Sequence, residues 1–393
     1  MYDQSMAIAQ DDQQTAFRER VGAWLDAHAE GAFPRTVLTP HDDTAVGRWR
    51  TWQGELADAG FVGITWPKEF GGRSGTPAES VVVEKALERR AMAGPFDFIG
   101  VGMVGPTILA HGSDEQRERW LRPLLRADET WCQLLSEPGA GSDLANVQAR
   151  AKQQEDGTWV VNGQKVWTSF AQHAAWGILL ARTDPDVPKH KGLTMFAVPM
   201  DADGVTIRPL RQITGDAEFN EVFMDDLRLD DENRIGAPRE GWKVALTMLG
   251  FERVAVGSGL HAVRLDRLVA AIGGSSASHD PATRRRLGAV ASDLLALRHT
   301  SQRVVEEIAE GRVPGPEAGL IKITSVIASL EACRLAVDVL GPEALVDEEW
   351  GHQVSALPGV RSAGGTEEIL RNLIGERHLG LPPEPRPAKP SAS

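Results

Sequence analysis

Cysteine is scarce: the 393-residue chain holds two, Cys132 and Cys333. A disulfide framework is not expected, and a reducing cytoplasm suits the composition. Tyrosine is scarcer, with one residue against 11 tryptophans, an imbalance to which no function attaches. No apolar run approaches the roughly 18–20 residues of a membrane span. The amino terminus, MYDQSMAIAQDDQQ, lacks a basic stretch running into an apolar core, so no signal peptide is expected. Cations are in deficit: 42 Lys and Arg face 55 Asp and Glu, for a net charge of −13. Nucleic acid and anionic membranes are poor partners for such a surface, because binding phosphate needs an excess of positive charge. A small anionic ligand stays open, since a few local cations can hold it. The histidines show no metal-ligand spacing and no H-E-x-x-H, so no metal is expected. There is no Gly-x-Ser-x-Gly elbow either.

What is present is ordinary globular material, 42% hydrophobic and 25% charged, long enough for two or three domains of roughly 100–200 residues each. The first third reads as helices. Phe17, Val21, Trp24, Leu25 and His28 recur at helical spacing, as do Trp49, Trp52 and Leu56 before Gly60. Ser113 with Gln116 forms a capping box for a helix running toward Leu125. Near Trp131 the character changes. Thr158–Val161 and Gln164–Thr168 flank Asn162-Gly163, a hairpin signal. Strand-like runs follow at Trp176–Ala181, Leu193–Pro199, Val205–Leu210 and Phe219–Met224. From Gly241 the pattern is helical again, over Gly241–Ile272, Ala282–Glu310, Glu317–Leu340 and Thr366–Leu379. The end, LPPEPRPAKPSAS, is Pro-rich and expected to be a disordered tail. The class is α+β. The expected domains are 1–130 (helical), 131–235 (β), 236–381 (helical) and the tail 382–393.

At WCQLLSEPGAGSDLANV, from Trp131 onward, the chain resembles the acyl-CoA dehydrogenase family. Further segments match in family order: GITWPKEFGG, HGSDEQRERWLRPLLRADETWC, VVNGQKVWTSFAQHAAWGILLARTD, RQITGDAEFNEVFMDDLRL and SAGGTEEILRNLIGERHLGLP. The resemblance covers nearly the whole chain. It implies an N-terminal helical domain, a central β-barrel-like domain and a C-terminal four-helix bundle. FAD would lie between the β domain and the C-terminal helices. It also implies α,β-dehydrogenation of an acyl thioester, on CoA or acyl carrier protein, with electrons passing to an electron-transfer flavoprotein. A homotetramer, a dimer or a mixed α2β2 tetramer would be the assembly.

Residue by residue, the resemblance places Gln133, Leu134, Leu135, Ser136, Gly141 and Ser142 along the flavin, with Ser142 also beside the thioester. Small residues there let backbone N–H groups approach a ligand, although Pro-Gly-Ala-Gly also favours a plain surface turn. Trp167 would wall the flavin, with Thr168 and Ser169 beside it. The competing reading of Trp167 is core packing. Thr366 and Glu368 match positions near FAD. An acidic Glu368 suits a hydroxyl or main-chain donor better than a pyrophosphate. Glu367 reads as a solvated helix-start residue. Cys132 reads as packing.

The reaction removes an α proton while hydride leaves Cβ for the flavin. It needs a carboxylate in a dry cleft. Many family members carry that Glu just before the Gly-Thr of the C-terminal loop, where this chain has Gly364, followed by Gly365 and Thr366. A subset carries it in a helical L-E-R segment, here Phe251-Glu252-Arg253. The helical face of Glu252 holds Ala245, Met248, Leu249, Ala255, Val256 and Gly259, all small or apolar. A carboxylate on such a face is catalytic or sits in a buried ion pair. Small Gly364 would then leave room for a base arriving from the other side, and the resemblance places Gly364 and Gly365 beside the substrate. Arg253 matches an arginine that contacts CoA, or is a structural partner. Two motifs depart from the family. R-x-x-F-G is replaced by SSASHDPATRRRLGAV, where Arg284, Arg285 and Arg286 supply charge, and Q-x-x-G-G-x-G appears only as DVLGPE. These departures motivate two alternatives: a flavin oxidase or monooxygenase using O₂ on the same fold, and a non-catalytic partner subunit of a mixed tetramer.

Overall fold

The computed structural model describes residues 4–35, 42–255, 263–309, 312, 315, 316 and 318–384. It divides into two compact units, Met1–Met248 and Leu249–Ser393. No helix among the described residues is long and apolar enough to cross a membrane.

The first unit begins with helices α1 (Gln4–Ala27), α2 (Asp43–Asp58), α3 (Pro77–Arg89), α4 (Gly105–His111) and α5 (Asp114–Leu125). The periodic residues face inward: Phe17, Val21, Leu25, Trp52 and Leu56 are buried. Full burial of such a side chain is worth about 1.5–3 kcal/mol. The Ser113–Gln116 capping box forms as expected. A second box, Thr76 with Glu79, starts α3, a helix that periodicity did not reveal. Buried Gln53 ties the layer together: it donates to Leu124 O and Leu125 O and accepts from Asp97 N. Asp97 in turn accepts from Gly100 N and Trp131 N, anchoring the start of the sheet to the helices.

The sheet has eight strands: β1 (Trp131–Leu134), β2 (Arg150–Gln153), β3 (Trp159–Ser169), β4 (Trp176–Arg182), β5 (Leu193–Pro199), β6 (Val205–Leu210), β7 (Phe219–Leu229) and β8 (Arg234–Ile235). Their order is β6-β7-β3-β2-β4-β5-β8, with β1 also on β4. Both β1 and β2 run parallel to β4, one pairing Trp131↔Trp176 through Leu134↔Leu179, the other Arg150↔Arg182. They lie one after the other along β4, joined by the loop Leu135–Ala149.

The expected hairpin at Asn162-Gly163 does not form. Strand β3 runs straight through it, with a bulge against β7 between Val161 and Gly163. Two distant partners decide this. The Asn162 side chain exchanges hydrogen bonds with Asp226, each at 2.9 Å. A Cβ at Gly163 would lie 2.6 Å from Ala149 Cα, so glycine is needed for close approach. The turn falls instead between β2 and β3, where Gly157 has φ +87°.

After α6 (Gly241–Ala255), the second unit contains α7 (Leu265–Gly273), α8 (Pro281–Ala309), α9 (Ala318–Leu340), α10 (Glu343–Val346), α11 (Glu348–Val360) and α12 (Glu367–Leu373). The expected single helix Gly241–Ile272 is two: Val263 and Arg264 are not helical, and Val263 N donates to Ser329 Oγ. Residues 256–262, including Val256 and Gly259, lie outside the described residues. Helix α11 is a further element not anticipated from the sequence; its Asp347 cap accepts from Glu349 N and Trp350 N. Helices α7, α8, α9 and α11 pack as a four-helix group around Leu268, Ile272, Val290, Leu335, Trp350 and Leu357.

Candidate active site

Within the first unit the candidate site is the loop between β1 and β2. Its centre is a buried ion pair. Lys165 on β3 is fully buried and sends Nζ to Glu137 Oε1 (2.8 Å), Leu135 O (3.0 Å) and Leu180 O (2.8 Å). Glu137 also accepts from Gln148 N (2.6 Å) and Ala149 N (2.9 Å). All three ammonium protons and four loop groups are thereby satisfied. Burial lowers the Lys165 pKa to about 8, a shift that the adjacent Glu137 carboxylate opposes. Val166 N donates to Ser136 O (2.9 Å), closing the loop onto β3. Buried Arg182 secures the far end through Ala145 O and Val147 O, and Asp143 pairs with Lys189 at 2.6 Å. Pro138 and Gly139 form an exposed turn closed by Glu137 and Ala140, so the surface turn that Pro-Gly-Ala-Gly favours is present, on a loop that is anchored from inside. Sequence reasoning missed both Glu137 and Lys165 as the groups that hold the loop in place; a lysine inside the strand-like run Gln164–Thr168 was the available signal.

The anchored loop presents Gly141 and Ser142 to solvent, while Ser136 is half-buried. Gln133 is half-buried and points Nε2 at Met103 Sδ. Leu134 is fully buried in the sheet core and Leu135 nearly so, which leaves their main chain, not their side chains, for a ligand. Cys132 packs in the same core beside Met200, and burial pushes its thiol up.

On β3 a second irregularity against β7, between Lys165 and Thr168, turns Trp167 outward. Trp167 has φ +60° and is 61% exposed, so it is not core packing. Phe219 meets its ring edge-on at 6.0 Å. Thr168 Oγ1 and Asn220 Oδ1 are buried nearby without hydrogen-bond partners among the described residues. An exposed flat apolar ring beside unspent polar capacity fits a planar heteroaromatic group. Ser169, half-buried, completes the segment.

In the second unit, Glu252 and Gly364 are brought together. Among the described residues, a Cβ at Gly364 would find one heavy atom within 4 Å, Glu252 Oε1 at 3.8 Å. Gly364 and Gly365 have φ +64° and +95°, a backbone that disfavours any side chain at the position where relatives place their Glu. Lys322 on α9, which sequence reasoning missed, donates to Arg361 O (2.6 Å) and Gly365 O (2.8 Å). The Thr366 hydroxyl caps α12 through Ile369 N. The exposed Glu368 carboxylate is held below its usual range by its own backbone N–H and the Thr366 hydroxyl. Glu367 is not simply solvated: it pairs with Arg371 (2.7 Å) and Arg361 (3.5 Å). Arg286 is committed to Glu331 and Asp338, whereas Arg284 and Arg285 are exposed. The side chain of Arg253 lies outside the described residues.

Three family models cover the chain in order: acyl-CoA dehydrogenase N-terminal domain over residues 11–128, middle domain over 132–227 and C-terminal domain over 239–379. Acyl-CoA dehydrogenase IpdE1 of Mycobacterium tuberculosis is 38% identical over 379 residues, taking in 94% of this chain and 98% of that protein. Acyl-CoA dehydrogenase FadE34 of the same organism is 38% identical over 370 residues; these take in 94% of this chain, which spans about half (51%) of FadE34. Among solved structures, the Tcur3481-Tcur3483 steroid ACAD superposes with a TM-score of 0.80 at 26% identity, over 96% of this chain and 98% of that one. The ChsE4-ChsE5 complex of Mycobacterium tuberculosis gives 0.77 at 27% identity, over 95% and 98%. A helical segment, a mixed sheet and a second helical segment, each matched by its own model, place the chain in the acyl-CoA dehydrogenase family, FAD-dependent oxidoreductases that act on acyl-CoA.

Proposed function

We propose that this chain oxidises an acyl-CoA to the trans-2-enoyl thioester, with Glu252 removing the α proton. The observation that carries the assignment is the Glu252 carboxylate oxygen beside Gly364, the position from which many relatives deliver their own Glu. FAD supplies the hydride acceptor. The chain's residues do the rest. The Glu137–Lys165 pair holds the Leu135–Ala149 loop rigid, so that its backbone N–H groups and Ser136 and Ser142 face the ligand in a fixed arrangement. Trp167 gives the flavin an apolar wall, with Ser169 at its edge. Main-chain donors stabilise the enolate-like charge on the thioester oxygen. Arg253 is assigned to the CoA portion. Electron-transfer flavoprotein is the proposed acceptor.

A bulky acyl group is the favoured substrate class. Gly364 leaves space beside the base, and the structural neighbour Tcur3481-Tcur3483 is a steroid ACAD. That neighbour and ChsE4-ChsE5 are each named as a pair of chains, which favours a mixed tetramer as the assembly.

Glu252→Gln tests the reading. The variant should retain FAD, yet lose at least about 100-fold in anaerobic bleaching of the flavin band near 450 nm by acyl-CoA. Near-normal bleaching would sink the assignment of Glu252. Rapid reoxidation of the bleached wild-type enzyme by air would point to an oxidase instead. A chain that is colourless until mixed with a second subunit would point to the non-catalytic partner.

A further inference from the structure

The loop Leu135–Ala149 is secured from inside at two places, with a short exposed stretch between them. Lys165 secures Leu135 O and Glu137. Arg182, at the end of β4 and buried, secures Ala145 O at 2.7 Å and Val147 O at 3.1 Å. Gly141 and Ser142 fall between, both exposed, and a Cβ at Gly141 would meet nothing within 4 Å among the described residues. Asp143 comes next. It stands just before the single 3₁₀ turn Leu144–Asn146, where an aspartate ordinarily caps the first N–H groups, yet its side chain makes no such cap. Both of its oxygens turn instead to Lys189 Nζ, at 2.6 and 2.7 Å. Lys189 lies on the connection from β4 to β5, and its own carbonyl accepts from Arg182 Nη1 at 3.3 Å. One buried guanidinium therefore links the two loops from below, and one ion pair joins them at the surface. The Lys189 and Asp143 side chains are 43% and 57% exposed. An exposed pair adds little to the stability of the whole fold, so its consequence is local: it fixes the residue next to Ser142.

We propose that Lys189 is a positioning residue for the substrate: its ammonium, acting through Asp143, holds Ser142 in place to meet the acyl thioester. The inference rests on Ser142 lying beside the thioester. It adds that the ion pair, not Lys189 by itself, sets how tightly the substrate is held. The distinction has a sign. A lysine that met the anionic CoA directly would hold it better once Asp143 lost its charge. A lysine that works by holding Asp143 loses its effect together with that charge.

The test uses Asp143→Asn, Lys189→Met, the two combined, and Lys189→Arg, each in the full-length holoenzyme, scored by KM and kcat for an acyl-CoA, FAD content and melting temperature. Asp143→Asn and Lys189→Met should each raise KM by about twofold to fivefold, the range an exposed ion pair supports, with the loss in KM rather than kcat and with FAD retained. The combined variant should be no worse than either single change, because both remove the same contact. Lys189→Arg, which keeps the charge, should recover most of the wild-type KM. An Asp143→Asn enzyme whose KM falls, or stays within about 1.3-fold of wild type, would overturn the proposal, as would a combined loss equal to the product of the two single losses. Loss of FAD or of the fold in both single variants assigns the pair to the loop's stability and also overturns it. Ser142→Ala, measured alongside, separates the two claims. An unchanged KM there removes Ser142 from the substrate site, the reading on which the inference rests. A raised KM in Ser142→Ala with none in Asp143→Asn removes only the role of Lys189.

Discussion

Replacing Lys165 with methionine tests whether its pair with Glu137 holds the loop proposed to face the flavin. The substitution keeps the length and apolar stem of the side chain but removes the charge and all three donors. Three acceptors lose their partner: Glu137 Oε1, Leu135 O and Leu180 O. The carboxylate suffers most, because Glu137 is 8% exposed and keeps only two backbone N–H donors. Breaking a buried pair by removing one partner costs about 3–5 kcal/mol. In a unit of this size each kcal/mol is worth about 2–4 °C, so the melting temperature should fall by about 6–20 °C. The same change releases the Leu135–Ala149 loop from β3 and β4, so FAD should be lost on gel filtration. Differential scanning fluorimetry and the ratio of flavin to protein absorbance read both effects. A Lys165→Met protein that melts within about 2 °C of wild type and retains its flavin would refute the argument that this pair holds the loop.

Two further outcomes are expected. Trp167→Ala should weaken FAD binding by about threefold to tenfold, the worth of one aromatic stacking contact, with little change in melting temperature of the apoprotein because the ring is already exposed; unchanged FAD affinity would remove Trp167 from the site. Asp97, whose carboxyl is pushed from 3.8 up to about 7 by burial, should make stability pH-dependent. Its folded pKa is raised, so the native state holds the proton more tightly than the unfolded chain. The stabilisation is complete below about pH 4 and is lost as pH rises through about 7. Asp97→Asn should therefore melt lower than wild type at pH 5, with the gap narrowing by pH 8; a constant gap would contradict the sign.

How much of the fold and site is legible in the chain depends on how far apart the deciding partners are. The Ser113–Gln116 cap and the strands at Leu193–Pro199 and Val205–Leu210 follow from residues within a few positions of one another, and they form as expected. The absence of a side chain at Gly364 and the apolar face around Glu252 are likewise visible in the chain, and together they suggest where a displaced base would stand. Asn162-Gly163 shows the limit. Its local preference is a hairpin, but Asp226 and the backbone of Ala149 act on it from distant strands, and the result is a bulge. The exposure of Trp167 is another such outcome, set by the register of β3 against β7.

By itself, then, the sequence determined the family and the helix–sheet–helix order, because capping, periodicity and motif spacing are local properties. Only the tertiary structure decided how the charges are answered. Lys165 meets Glu137 and Lys322 meets Gly365 because burying an ammonium is favourable only where acceptors converge on it, and those acceptors come from segments that folding alone brings together.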